Sequence, residues 1–330
     1  MDIRDIDINM KENETESDET TTYYNLNNSY LRGRAFNSGF SRLRDNDYVS
    51  ENVNRLKHHT SGINIDFKTN SNTISIKATV DSAAYMVHMT AIGQIGFDLY
   101  VKRNEKFVFI GTTKINKPSY NVTLVTGLDE GTHDFRLYFP LYIGVKSAYI
   151  GVDNGSDFTF IKEEKEKIVI YGTSISQGGC ATRPGMSYTS ILDRMLNYEF
   201  INLGFSGSAH LEEEMADILN EIPMKYLILE VEANNTLAGL KEKLPKFINK
   251  LKIENIILIS HFPYAYTLVN KHQKEILEEA CTFQRNIEHV TFIDGRSLLA
   301  EVDYDEMVDG VHLTDLGFYF VSKGLLEYLK

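Results

Sequence analysis

The chain contains little of what several protein classes require. Its 330 residues include no tryptophan and only two cysteines, Cys180 and Cys281, which are too few for a disulfide framework or a cysteine metal cluster. Basic charge is also scarce, since 46 acidic side chains outnumber 34 basic ones and the net charge is −12. Binding to nucleic acid or to an anionic membrane needs a basic surface. We therefore expect neither as a partner.

Long apolar segments are missing too. No apolar run approaches the roughly 18 residues that are needed to span a membrane. The segment from Met1 to Asp7 has neither the basic start nor the apolar stretch of a signal peptide. The sequence therefore predicts a cytoplasmic protein without a transmembrane segment.

One segment carries most of the functional information. The apolar run 167–170 predicts a short buried strand, and Gly-Thr-Ser follows it, so the hydroxyl of Ser174 is expected at the carboxyl end of that strand. Ligands bind at this edge of open parallel sheets. Near the end of the chain, Asp309 and His312 stand three residues apart. Ser, Asp and His in this chain order is one way to assemble a hydrolytic triad.

Two further strand-like segments end in polar residues, at 202–207 and at 232–235. Each would deliver a hydrogen-bond donor to the same sheet edge. We expect the backbone N–H of Gly204 and the side-chain amide of Asn234 to join the N–H of Ser174 in an oxyanion hole. Asn235 is the alternative donor in its block.

These blocks resemble those of the SGNH (GDSL-like) hydrolase superfamily, whose signature residues are Ser, Gly, Asn and His. The match falls on Ser174, Gly204, Asn234 and His312, with Asp309 as the acid of the triad. Two departures stand out: the usual Gly-Asp-Ser is Gly-Thr-Ser here, and the usual Gly-x-Asn-Asp is Glu-Ala-Asn-Asn. The resemblance implies a serine hydrolase over about residues 165–330. The mechanism is complete without a cofactor or a metal, so we expect none.

The first half of the chain has a different pattern. Short segments with alternating apolar and polar residues, separated by turn signals, predict an antiparallel β-sandwich or jelly roll. Within it, Gly96-Phe-Asp-Leu-Tyr100 resembles the Gly-x-Asp-Leu-Tyr motif of a β-rich module that precedes the hydrolase domain in one SGNH subfamily. That resemblance implies a fused two-domain esterase of the acylhydrolase or acetylesterase kind.

These patterns predict three parts. Residues 1–22 are polar and acidic, and we expect a disordered tail there. Residues 23–160 are expected to form the β-sandwich. In residues 161–330, five strand–helix units predict a three-layer, flavodoxin-like α/β domain with a five-stranded parallel sheet.

The expected function is a serine esterase that removes small acyl groups, above all acetyl, from a carbohydrate or another polar metabolite. An acyltransferase that uses the same triad with an alcohol acceptor is the alternative. A non-catalytic carbohydrate-binding protein would need a broken triad, and the triad is complete.

Glu230 and Glu232 flank the oxyanion block. A carboxylate beside an oxyanion is unfavourable, so we expect both to point away or to pair with a cation such as Arg183.

Overall fold

The computed structural model describes residues 2–299 and 303–329. The first half of the chain is mainly β-structure, with three short helices, α1 (Ile3–Ile6), α2 (Glu51–Leu56) and α3 (Ala91–Ile95). Its strands are β1 (Thr21–Asn25), β2 (Asn64–Thr69), β3 (Ile74–Val80), β4 (Asp98–Arg103), β5 (Lys106–Thr112), β6 (Ser119–Val125), β7 (His133–Tyr138), β8 (Val145–Asp153) and β9 (Phe158–Ile161).

These strands form two antiparallel sheets, in the orders β1-β8-β3-β6 and β5-β4-β7-β2-β9. Alternating residues of each sheet point inward, as β6 shows, where Tyr120, Val122 and Leu124 are buried and their neighbours are not. The inward side chains of both sheets belong to one apolar core, in which Phe67 of β2 stacks on Phe135 of β7. The predicted β-sandwich is confirmed.

The acidic N-terminal segment makes specific contacts with the sandwich. The backbone N–H of Glu16 donates to Asn121 O, and that of Thr123 donates to Glu14 O, so this segment runs beside β6. The side-chain amide of Asn13 also donates to Thr123 O at 2.9 Å. Backbone hydrogen bonds of this kind do not depend on an apolar pattern, so an acidic composition does not reveal them, and the disorder of residues 1–22 stays a prediction.

In the second half, strands and helices alternate. The strands are β10 (Lys167–Gly172), β11 (Glu199–Gly204), β12 (Tyr226–Glu230), β13 (Ile256–Ile259) and β14 (Thr291–Ile293). The helices are α4 (Ser174–Gln177), α5 (Tyr188–Met195), α6 (Glu213–Asn220), α7 (Leu237–Lys250), α8 (Lys271–Arg285) and α9 (Asp315–Leu325). None of the helices among the described residues is long and apolar enough to cross a membrane.

The five strands pair in parallel in the order β11-β10-β12-β13-β14, which confirms the predicted sheet. Alternate residues of β10 enter two different cores. Val169 and Tyr171 pack on the side of α6 and α7, and Ile168 and Ile170 on the side of α5 and α9. β11, the next strand along the chain, lies on one side of β10, whereas β12 and the later strands lie on its other side. The strand order therefore reverses at β10. The carboxyl end of β10 is therefore the switch point where such sheets bind ligands.

A buried ion network joins the two halves. Arg136 of β7 bonds to Asp66 and to Asp193 of α5, in each case at 2.7 Å, and the Tyr138 hydroxyl donates to Asp193 at 2.6 Å. Arg32 contacts the same two carboxylates. Burial would lower the pKa of Arg136, but the two carboxylates outweigh it and raise that pKa. Removing one partner from such a buried pair typically costs about 3–5 kcal/mol, so the network holds the sandwich against the α/β half.

Candidate active site

Ser174 lies at the first position of α4, immediately beyond β10. Thr173 caps this helix, since its hydroxyl accepts a hydrogen bond from Ile175 N. The turn is tight: a Cβ on Gly172 would lie 2.2 Å from Ser176 Oγ, so only glycine fits before the cap. The serine hydroxyl therefore stands at the carboxyl edge of the sheet, as the sequence predicts.

His312 and Asp309 meet this hydroxyl from a separate loop. Ser174 Oγ lies 2.9 Å from His312 Nε2, and His312 Nδ1 lies 2.8 Å from Asp309 Oδ2. The other carboxylate oxygen of Asp309 accepts from the backbone N–H groups of Val311 and His312. Partial burial would raise the pKa of Asp309, but these hydrogen bonds outweigh it and lower that pKa. The aspartate is therefore held ionised, with the Nδ1–H tautomer of His312 facing it.

The side chain of Glu230 binds the turn that carries Ser174. One of its carboxylate oxygens accepts from Thr173 N at 3.1 Å, from Thr173 Oγ1 at 2.7 Å and from Ser176 Oγ at 2.9 Å. Burial raises the pKa of Glu230 to about 7 in spite of these bonds. The carboxylate points into the turn beneath the serine, and its partners are hydroxyl and amide groups, so of the two expected arrangements it does not have the pairing with a cation.

Asn202 holds the same turn from the other side. Its amide donates to Ser176 O at 2.7 Å and to Ser61 Oγ of the β-sandwich half at 3.1 Å. Its side-chain oxygen accepts from Gly204 N at 2.8 Å. A Cβ on Gly204 would lie 2.2 Å from Gln177 N.

These contacts contradict the predicted role of Gly204 as an oxyanion donor. Its N–H is already bonded within β11 and its backbone is buried, so it has no free donor for a substrate. Its glycine identity is explained by the close approach of α4. The bond to Asn202 is a detail of side-chain direction that the spacing of the motif does not reveal.

The two asparagines of the next block differ clearly. Asn235 Nδ2 donates to Ala209 O and to Val231 O, both at 2.8 Å, and is fully engaged. Asn234 Oδ1 accepts from Ala209 N at 3.1 Å, which orients the amide. Within residues 2–299 and 303–329, Asn234 Nδ2 has no hydrogen-bond acceptor. Of the two, Asn234 is the one with a donor available.

Arg183 and Glu232 have partners other than those expected. Arg183 bonds to Asp98 at 2.8 Å and to the Tyr100 hydroxyl at 2.5 Å, both within the Gly-x-Asp-Leu-Tyr motif. Glu232 accepts from the backbone and the ring of His261, at 2.8 Å each. Of the two arrangements expected for Glu230 and Glu232, pointing away or pairing with a cation, the pairing with Arg183 is not formed, because Arg183 binds Asp98 and the carboxylates bind other groups. The motif of the first half instead anchors the loop that follows the serine helix.

Comparisons with known protein families agree with this architecture. Residues 165–329 match the model of the GDSL-like lipase/acylhydrolase family. The chain belongs to this family. Residues 21–158 match the model of the N-terminus of SGNH-hydrolase-type esterases, named after the GxDLY motif. The protein is accordingly a carboxylic ester hydrolase of the GDSL-like type. The comparison with curated proteins gave no match.

Solved structures show the same arrangement over nearly the whole chain. A protein described as a GDSL-like lipase from Bacteroides ovatus is 31% identical, with a TM-score of 0.86 over 93% of this chain and 96% of that one. The salicylyl-acyltransferase SsfX3 of a tetracycline pathway shares the fold at 14% identity, with a TM-score of 0.68 over 97% of each chain. An acetyl xylan esterase from Butyrivibrio proteoclasticus does so at 13% identity, with a TM-score of 0.57 over 94% and 98%.

Some features of this GDSL-like site lie outside what the motifs reveal. The turn 205–207 is bonded to the serine helix, because Ser206 N donates to Gln177 Oε1 at 2.9 Å. Gly207 in this turn is exposed, with a φ of 65°. In the described part of the chain its N–H makes no hydrogen bond. The available signal in the sequence was the glycine at the end of the Asn-Leu-Gly-Phe-Ser-Gly block, since glycine readily adopts the positive φ seen there.

Proposed function

We propose that this GDSL-like hydrolase is a serine esterase that removes small acyl groups, above all acetyl, from a carbohydrate or another polar alcohol. The observation that carries the proposal is the hydrogen-bonded series from Ser174 Oγ through His312 to Asp309, with successive distances of 2.9 and 2.8 Å. A hydroxyl, an imidazole and a carboxylate in series are the parts of a nucleophilic triad.

In the proposed mechanism, Ser174 Oγ attacks the ester carbonyl while His312 Nε2 accepts the hydroxyl proton. Asp309 holds the Nδ1–H tautomer and stabilises the imidazolium. His312 then returns the proton to the leaving alcohol, and an acyl-serine remains. Water attacks this intermediate by the same steps in reverse order, which releases the acid and restores the serine.

The oxyanion of each tetrahedral intermediate needs donors that are not already bonded. We assign this role to the N–H of Ser174 at the start of α4, to Asn234 Nδ2 and to the N–H of Gly207, which takes the place first assigned to Gly204. Support comes from the free amide of Asn234 and from the exposed, positive-φ turn at Gly207. Each such donor is typically worth about 2.7–4 kcal/mol in the transition state.

An exposed aromatic side chain on the acid–base side supports a sugar as the alcohol. Tyr266 is 42% exposed and stacks on Tyr264 with ring centroids 5.6 Å apart. Both line a cavity of about 650 Å³ that also contacts Val311, the neighbour of His312. An aromatic face in the wall of a cavity offers a flat surface to a pyranose ring. The acetyl xylan esterase named above shares this fold, which is consistent with such an alcohol.

Transfer to an alcohol acceptor is the alternative. It uses the same acyl-serine, and only the nucleophile of the second step differs. The fold shared with a salicylyl-acyltransferase is compatible with it.

One experiment addresses both the acyl group and the acceptor. Nitrophenyl acetate, butyrate and octanoate are assayed with the full-length protein, and acetylated oligosaccharides are then analysed by mass spectrometry with and without added alcohol. We expect kcat/KM to fall with acyl length and free acetate to be the main product. The Ser174→Ala variant is the control. An ester product that dominates over free acid would favour the transferase, and equal activity of the variant would exclude the proposed nucleophile.

A further inference from the structure

A cluster of four metal-ligand side chains lies around the acid–base pair. His88 comes from the β-sandwich half, Cys180 follows the serine helix, and Asp309 and His312 belong to the site itself. One donor atom from each of the four lies within 4.8 Å of the other three. The rings of His88 and His312 lie with their centroids 6.0 Å apart and are tilted by 47° to each other.

The proposed mechanism uses only two members of this cluster. In the described part of the chain, neither His88 nor Cys180 makes a side-chain hydrogen bond. His88 is exposed, and Cys180 is 5% exposed. Their ligand atoms are therefore not engaged by other protein groups. A nitrogen and a sulfur beside a second imidazole and a carboxylate form the donor set that zinc prefers.

The backbone at Cys180 adds an independent observation. Its φ is 74°, in the left-handed region that favours glycine, and a non-glycine residue there costs about 1–2 kcal/mol. The three residues before it include Gly178 and Gly179, so the chain has glycine next to this position but not at it. The strained conformation directs the Cys180 thiol toward Asp309 and His312. Alanine or serine would fill the same space, so packing alone does not require a sulfur atom there.

We propose that His88, Cys180, Asp309 and His312 form a binding site for Zn²⁺ or another divalent ion of similar softness, and that the bound ion reversibly inhibits the esterase. The inhibition half rests on the proposed function, while the binding half does not. Zinc–ligand distances are about 2.0–2.3 Å, so the four atoms need to close on the ion by roughly 1 Å from their present separation. The exposed side chain of His88 and the half-exposed loop of Asp309 can supply that movement.

Inhibition follows from the shared ligands. An ion on His312 occupies a ring nitrogen lone pair that the mechanism needs for proton transfer, and an ion on Asp309 withdraws the carboxylate from the imidazole. On binding, the Cys180 thiol loses its proton to solvent and a sulfur–metal bond forms, with no change of oxidation state. The ion is thus an inhibitor that competes with catalysis and not a cofactor.

The ligand set also predicts selectivity. Mg²⁺ and Ca²⁺ prefer oxygen ligands, and the cluster offers one carboxylate only. Thiolate and imidazole favour Zn²⁺, Cu²⁺ and Co²⁺. Inhibition by Zn²⁺ without inhibition by Mg²⁺ at the same concentration is therefore expected.

Binding is tested directly, without turnover. The full-length Ser174→Ala variant is freed of metal with a chelator and titrated with Zn²⁺ by calorimetry and with Co²⁺ by absorption spectroscopy. We expect one ion per chain and a thiolate-to-cobalt charge-transfer band. Adding Cys180→Ser should abolish the band, whereas adding Cys281→Ser, at the buried cysteine that contacts Asp294, should leave it. A missing band, or a band that depends on Cys281, would overturn the site.

Inhibition is tested with the otherwise unchanged protein. Zn²⁺ is titrated against nitrophenyl acetate hydrolysis, and EDTA is then added. We expect complete recovery with EDTA and an inhibition constant at least tenfold weaker in His88→Ala and in Cys180→Ser, each compared with its own uninhibited rate. His272→Ala, at an exposed histidine of α8, is the matched control for His88. Equal Zn²⁺ sensitivity in all variants would refute the proposal, whereas a protein without esterase activity would refute the proposed function and leave the cobalt result standing.

Discussion

The two sides of the proposed active site are built in different ways. The nucleophile side, residues 173–177, is buried except for Ser174 and is held by Asn202 and Glu230, from two other strands. The acid–base side, residues 309–312, lies on a loop. There the side chains of His312 and Asp309 are 23% and 35% exposed, and the bonds that orient them stay within four residues.

The position of one catalytic side chain is thus set by contacts from distant parts of the chain, and that of the other by contacts close in sequence. The position of Ser174 depends on side chains from β11, β12 and the β-sandwich half, so substitutions far away in the chain can disturb it. The position of His312 depends on a short turn around Asp309, so distant substitutions should disturb it little. The predictions below test this contrast, beginning with the largest expected effect.

Removing the nucleophile should nearly abolish turnover. In Ser174→Ala we expect kcat to fall roughly 10⁴–10⁶-fold, the usual cost of losing a triad member. The thermal unfolding temperature should stay unchanged, because within the described residues the hydroxyl bonds only to His312. A variant with more than a tenth of the original kcat and normal unfolding would contradict the assignment of Ser174.

On the acid–base side, Asp309→Asn should lower kcat by roughly 10⁴-fold, as the same change does in a serine protease triad. The amide can still accept from His312 N, but its NH₂ group favours the wrong tautomer of the ring. We expect KM to change little. Exposed Asp305 of the same loop provides the control, since Asp305→Asn should retain full activity. A loss below tenfold in Asp309→Asn would mean that another group orients His312.

The same contrast explains what the sequence could predict. The alternation of short apolar runs with helical patterns predicted the five-stranded parallel sheet, because each strand of such a sheet is a short continuous apolar run. Asp309 and His312 were recognisable because their interaction is local. The bonds from Asn202 to Ser176 O and from Arg183 to Asp98 were not. They involve side chains whose directions depend on the packing of separate elements, and no local pattern encodes them.

Between the two sides, the oxyanion donor should have an intermediate effect. Asn234→Ala is expected to lower kcat about 10²-fold or more with little change in KM, because the amide acts mainly on the transition state. Asn235→Ala is the matched control. It loses two structural hydrogen bonds, so it should reduce thermal stability more than kcat. The opposite pattern in steady-state kinetics would reverse the assignment of the two residues.

The buried carboxylate beneath the serine should leave a signature in stability. Burial raises the pKa of Glu230 from 4.5 to about 7, so between these values the folded state binds more protons than the unfolded state. Stability contributed by this group therefore falls as pH rises through that window, by about 3 kcal/mol in total. Glu230→Gln lacks this titration.

Urea unfolding of both proteins between pH 4.5 and pH 8 measures the effect. The free energy of unfolding of the original protein, minus that of Glu230→Gln, should decrease with rising pH by that amount. A difference that stays constant across the range would show that Glu230 does not titrate in the folded protein with a raised pKa.

The smallest effect tests whether the β-sandwich half supports the nucleophile. Buried Ser61 donates to Gln177 O at 2.6 Å and accepts from Asn202 Nδ2 at 3.1 Å. Ser61→Ala leaves Gln177 O without this donor, and a buried hydrogen bond is worth about 1 kcal/mol, so kcat should fall roughly three- to tenfold. Ser75→Ala is the matched control, because the buried Ser75 hydroxyl has no partner in the described part of the chain. It should keep full kcat. If both variants lose the same activity, the β-sandwich half affects turnover only through the stability of the whole protein. The hydrogen bonds of Ser61 then do not help to position Ser174.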